Sequence, residues 1–129
     1  MTTWNLNGTK KHVFICNGSS CMRKEGEEIT LAIREEIAQL ELDHQIHTTR
    51  TRCNGRCKDA CVVVVYPEGK WYSATSTDIG RSIIKSHVDP SINLEDALIY
   101  DFNSEEMMAV NTDARVKGIE KGEKEKAKA

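Results

Sequence analysis

Five thiols dominate whatever chemistry this chain can do. Cys16 and Cys21 enclose "NGSS", Cys53 and Cys57 enclose "NGR", and Cys61 follows shortly after. The two loops are near-copies, each with small, polar, turn-forming residues between its cysteines. Four thiolates with no histidine among them suit zinc or an iron–sulfur cluster. Zinc favours a tight Cys-x2-Cys knuckle that aims both sulfurs at one ion, whereas the spacings here are Cys-x4-Cys and Cys-x3-Cys. Wider loops suit a larger body with two metal atoms, one cysteine pair per iron, which is the arrangement a [2Fe-2S] rhomb demands. Such loops also bring backbone N–H groups near the sulfurs, with Gly18 and Gly55 permitting close approach.

The elements that must carry the loops can be read from periodicity. Lys11–Ile15 is a β-branched and aromatic run that ends at Cys16, and Gln45–Thr51 alternates and leads to Cys53. Between them, residues 26–42 place Ile29, Ile33, Ile37 and Leu40 on one face of an amphipathic helix, with Glu25, Glu27 and Glu28 at its start. A strand–helix–strand unit makes two parallel strands, which finish at the same edge of the sheet. Both cysteine loops are therefore expected at that carboxyl edge, where α/β folds build their sites. Val62–Tyr66 reads as a strand buried on both faces, Pro67–Lys70 as a turn, and Trp71–Ser73 as the second arm of a hairpin. Thr77–Val88 reads as a helix capped by Ser76 or Thr77, with Ile79, Ile83, Ile84 and Val88 inward. Pro90 divides a domain over residues 1–89 from a partly helical extension over 90–129, whose last dozen or so residues are too charged to pack and read as disordered.

At 129 residues and a formal charge of −2, the chain suits one globular core and offers no electrostatic reason to bind nucleic acid or an anionic membrane. No apolar run is long enough to cross a bilayer, and MTTWNLNGTKK lacks the apolar stretch of a secretory signal. An odd number of cysteines in that setting points to reduced thiols and a cytoplasmic location.

The cysteine spacing followed by "VVVVYPEGKWY" resembles the thioredoxin-like [2Fe-2S] ferredoxins, relatives of the small iron–sulfur subunit of complex I and of some hydrogenases. The likeness spans about Lys11 to Val88. It implies an α/β, thioredoxin-like fold: a β-α-β unit, then a β-hairpin and a helix. It also implies a [2Fe-2S] cluster held by Cys16, Cys21, Cys53 and Cys57, one-electron exchange with redox partner proteins, and often a homodimer. Two features depart from the family. Cys61 stands where such proteins commonly show a non-ligand residue, and the extension is longer than compact members have.

Two ferric ions, two sulfides and four thiolates carry a net charge of about −2, which deepens on reduction. Arg23, Lys24, Arg50, Arg52, Arg56 and Lys58 flank the cysteines, so they either favour the reduced state and steer an acidic partner or are plain solvated charges. No general base, nucleophile or substrate pocket stands out beside the thiols, which favours a carrier over an enzyme. Other readings are a cluster-bearing subunit or sensor of a larger redox enzyme, a structural zinc module, and a thiol oxidoreductase, although the last wants a Cys-x-x-Cys motif that is absent. Cys61, at the head of the valine-rich strand, reads as a small buried hydrophobe. His12, His44, His47 and His87 are scattered and read as surface or packing residues, as Trp71, Tyr72, Met107 and Met108 do for packing.

Overall fold

The computed structural model describes residues 2–111, 118 and 120–122. Along the chain come β1 (Lys11–Cys16), α1 (Ser19–Arg23), α2 (Gly26–Gln39), β2 (Ile46–Thr51), a 3-10 turn (Cys57–Asp59), β3 (Val62–Tyr66), β4 (Lys70–Ser73), α3 (Thr77–Lys85), β5 (Leu98–Phe102) and β6 (Met107–Ala109). The strands form one sheet in the order β2-β1-β3-β4-β5-β6. Only β1 and β2 run parallel; every other neighbouring pair is antiparallel.

Pleating decides what each face of the sheet carries. Val13, Ile15, Val63 and Val65 share one face, because Val13 lies opposite Val65 and Ile15 opposite Val63. That face meets the helices. Ile29, Ile33 and Ile37 of α2 and Ile83 and Ile84 of α3 are buried with those valines in one core. Arg81 of α3 ties the helices together further out, donating to Glu35 at 3.1 Å and to the buried Glu36 at 3.4 Å. Ser76 caps α3, its hydroxyl accepting the Ile79 N–H at 3.2 Å. The opposite face carries Phe14, Val64, Trp71 and Tyr100, which are paired across the strands. Ring contacts knit this face: Phe14 meets Tyr66 edge to face at 5.7 Å, and Trp71 meets Tyr100 in the same way at 6.2 Å.

Of the partly helical extension expected over 90–129, the stretch that is described up to residue 111 holds strands β5 and β6, which continue the same sheet beyond β4, while most of the rest lies outside the described residues. The reason is local turn chemistry. The Asn103 side chain accepts the backbone N–H groups of Glu105 and Glu106, at 3.1 and 3.0 Å, and Ser104 takes a positive φ of 83°. Asparagine that captures the backbone in this way closes a turn in place of a helical ladder. The expected disorder of the final dozen residues falls mostly outside the described residues.

Candidate metal centre

Parallel pairing brings the two cysteine loops together. Cys16, the last residue of β1, lies opposite Thr51, the last residue of β2, and the Asn17 N–H donates to the Thr51 carbonyl at 2.7 Å. The loops therefore leave the sheet from adjacent positions at one edge. Each is also fastened to the strand it leaves by the asparagine of its repeated Cys-Asn-Gly triplet. Asn17 donates its side-chain amide to the Ile15 carbonyl at 3.2 Å, and Asn54 donates to the Thr51 hydroxyl at 2.8 Å. The repetition of that triplet is the sequence signal for these two anchors.

Contact between the loops depends on a missing side chain. A Cβ on Gly18 would fall 2.9 Å from both the Cα and the N of Cys53. Gly55 serves differently: it takes φ +84° with open space around it, and its N–H donates to the Cys53 sulfur at 3.3 Å. The expected close approach thus holds for Gly18 against the neighbouring loop, whereas Gly55 supplies a left-handed turn and a donor.

Cys16, Cys21, Cys53 and Cys57 line a single narrow cavity of about 20 Å³, together with Gly18, Ser20, Asn54 and Arg56. The pairs differ in setting: Cys16 and Cys21 are buried, and Cys53 and Cys57 are exposed. The Cys53 and Cys57 sulfurs stand 3.5 Å apart. Two thiolates on one tetrahedral metal, with metal–sulfur bonds of about 2.3 Å, would stand about 3.8 Å apart, so this pair needs little adjustment. Among the described residues no three Cys, His, Asp or Glu side chains gather around one point. The donors are arranged as two pairs across a shared gap, a donor set that fits a two-metal body.

Without metal, the buried pair is held as thiols. Burial pushes Cys16 up, against the N–H groups of Gly18 and Asn54. Hydrogen bonding with Cys61, and then burial, push Cys21 up, against the Val62 N–H. In the exposed pair, the Gly55 N–H pulls Cys53 down but the adjoining Cys57 thiol and desolvation leave it raised. Cys57 is lowered by its hydrogen bonds from Cys53 and Ser20, helped by Arg23. Cys61 is fully buried and donates to the Cys16 carbonyl at 3.3 Å, so it packs behind the first loop.

The six flanking cations split into two groups. Arg50 is paired with Glu27 at 2.7 Å and Arg56 with Asp59 at 2.7 Å, and Arg23 donates to the Ser20 hydroxyl at 3.4 Å. Lys24, Arg52 and Lys58 are exposed and make no ion pair among the described residues. A groove of about 690 Å³ runs beside Cys57, lined by Ser20, Arg23, Lys24, Glu25 and Lys58 among others.

A mixed sheet with two helices on one face, and two thiol pairs at the carboxyl edge of its parallel strands, defines an iron–sulfur protein of thioredoxin-like architecture. Residues 2–87 match the thioredoxin-like [2Fe-2S] ferredoxin family, and the chain belongs to it: an iron–sulfur electron carrier whose cofactor is a [2Fe-2S] cluster. A protein of Priestia megaterium named "Putative 2Fe-2S ferredoxin" is 50% identical over 121 residues, covering 94% of each chain. A 2Fe-2S ferredoxin of Clostridium pasteurianum is 34% identical over 88 residues, covering 62% of this chain and 86% of its own. The solved thioredoxin-like [2Fe-2S] ferredoxin of Aquifex aeolicus superposes with a TM-score of 0.64 at 27% identity, covering 78% of this chain and 99% of that one.

Proposed function

We propose that Cys16, Cys21, Cys53 and Cys57 are the cluster ligands, and that the protein is a free one-electron carrier with no substrate chemistry of its own. The observation that carries the assignment is the shared cavity lined by four thiols in two pairs. When bound there, the cluster supplies a one-electron change in charge. The chain's part is to hold the pairs and to aim N–H groups of Gly18, Asn54, Gly55 and Val62 at the sulfurs. Donors directed at sulfur favour added negative charge and raise the potential.

Electrons pass most readily where the cluster comes nearest the surface, on the Cys53–Cys57 side. Lys24, Arg52 and Lys58, which make no ion pair among the described residues, stand around that side, which suits a redox partner protein with an acidic docking surface. The aromatic face of Phe14, Tyr66, Trp71 and Tyr100, with both long helices on the other side of the sheet, suits burial against a second copy in a homodimer. Among the described residues no helix is long and apolar enough to cross a membrane, and reduced, clustered thiols suit the cytoplasm.

Reconstituted protein should hold about two irons and two acid-labile sulfides per chain, absorb in the visible, bleach with dithionite and give a reduced-state EPR signal. One zinc per chain without sulfide would end this reading. A stable stoichiometric complex captured from the native cell would replace the free carrier with a subunit.

A further inference from the structure

The second cysteine loop is held from a strand that lies beyond the family match. Arg56, between Cys53 and Cys57, directs both Nε and Nη2 at the same Asp59 oxygen, each at 2.7 Å. Asp59 is buried and closes the 3-10 turn that begins at Cys57. The Arg56 guanidinium carbon in turn lies 5.4 Å from the centroid of the Tyr100 ring on β5. Tyr100 is set by its register with Trp71 on β4 and by their edge-to-face contact. A continuous line of contacts therefore runs from the sheet, through Trp71, Tyr100 and Arg56, to Asp59 in the loop.

We propose that Tyr100 is a positioning residue for the second cysteine loop, and that β5 braces the outer half of the metal site. A guanidinium placed over an aromatic ring gains a cation–π contact, and at 5.4 Å from the Tyr100 centroid the Arg56 group lies within its reach. With Arg56 held, the turn that carries Cys57 keeps one orientation, although both thiols of this loop are exposed and Gly55 gives it a flexible hinge. The extension is in this sense part of the metal site rather than an appendage.

Two readouts test the brace. One is amide hydrogen exchange of residues 54–58 in the metal-free protein, and the other is the rate of cluster loss to a chelator in the loaded protein. Tyr100→Leu, which keeps apolar packing on Trp71 but removes the ring, should accelerate both about two- to tenfold, the range a cation–π contact supports. Tyr100→Phe, which keeps the ring, should leave both within about twofold of the parent. The brace is overturned if Tyr100→Leu leaves residues 54–58 as protected as before, if it speeds exchange in β1 and α2 equally, or if Tyr100→Phe does as much damage. Should Tyr100→Leu not fold, Arg56→Lys takes its place, since it keeps the charge and loses the guanidinium that lies over the Tyr100 ring; unchanged exchange there sinks the proposal as well. The chelator arm rests on the proposed ligands, whereas the exchange arm does not, and iron and sulfide content separates failure of one from failure of the other.

Discussion

Gly18→Ala should separate the two cysteine loops without straining the backbone. Gly18 sits at φ −65° and ψ 168°, where alanine is at ease, so any cost is steric. The new methyl would meet Cys53 backbone atoms at 2.9 Å, against an ordinary contact of 3.4–4 Å, and the loops would have to part by half an ångström or more. Backbone on both sides leaves no flexible side chain to give way. Overpacking of this kind costs about 1–3 kcal/mol, and restricting the unfolded chain returns about 0.4–1 kcal/mol. The net expectation is a loss of about 1–2 kcal/mol in urea denaturation of the metal-free protein, with a correspondingly faster release of iron to a chelator. Gly18→Asn should be no better. Gly55 gives the contrast: Gly55→Ala is strained by its positive φ, and Gly55→Asn, which tolerates that region, should recover much of the loss. A Gly18→Ala protein as stable as the parent, with full iron and sulfide and unchanged visible circular dichroism, would refute the loop contact.

Serine at Cys16, Cys21, Cys53 or Cys57 should lower iron and sulfide below two per chain and distort the visible spectrum, whereas Cys61→Ser should keep the cluster. In the metal-free protein, iodoacetamide should modify Cys53 and Cys57 first and spare Cys16, Cys21 and Cys61 until unfolding, as mass spectrometry would read. The metal-free fold should also weaken in alkali. Cys16 and Cys21 have folded pKa values raised above their unfolded ones, so their stabilisation is complete below about pH 8.5 and is lost as pH rises from there towards the folded values, by up to about 1.4 kcal/mol per pH unit for each group. Cys21→Ala should flatten that slope in denaturation curves from pH 8 to 10. Arg56→Ala leaves buried Asp59 without its cation and should cost about 3–5 kcal/mol in thermal or urea unfolding, while Arg56→Met with Asp59→Leu should recover most of it. Lys24→Glu and Lys58→Glu should slow electron transfer to an acidic partner and reduce its dependence on salt, as stopped-flow mixing would read.

Local periodicity made much of this fold legible. β1, β2, α2, β3 and the capped α3 appear close to where their residue patterns put them, because each is long enough to show its own repeat. The parallel pairing that joins the cysteine loops followed from element order alone. What escaped were the short and the non-local parts. α1 and the turn at Cys57 are too brief to carry a period, and β5 depends on β4, far back in the chain, for its ladder. The cations show the same limit. Arg50 and Arg56 look alike beside the cysteines in the sequence, but folding brings Glu27 to one and Asp59 with Tyr100 to the other, so neither is a free rim charge.

The pairing of Cys16 with Thr51 works as a ruler. Strand residues advance by about 3.3 Å, so an inserted or deleted residue in β1 or β2 would carry one thiol pair past the other and turn its strand's side chains to the wrong face. Leu42 is buried in the core, but the exposed Asp43 and His44 beyond it are under no such rule, since they only return the chain to the start of β2. Changes of length should therefore accumulate in that connection and be purged from the two strands, and a redesign that lengthens the crossover should spare the metal site.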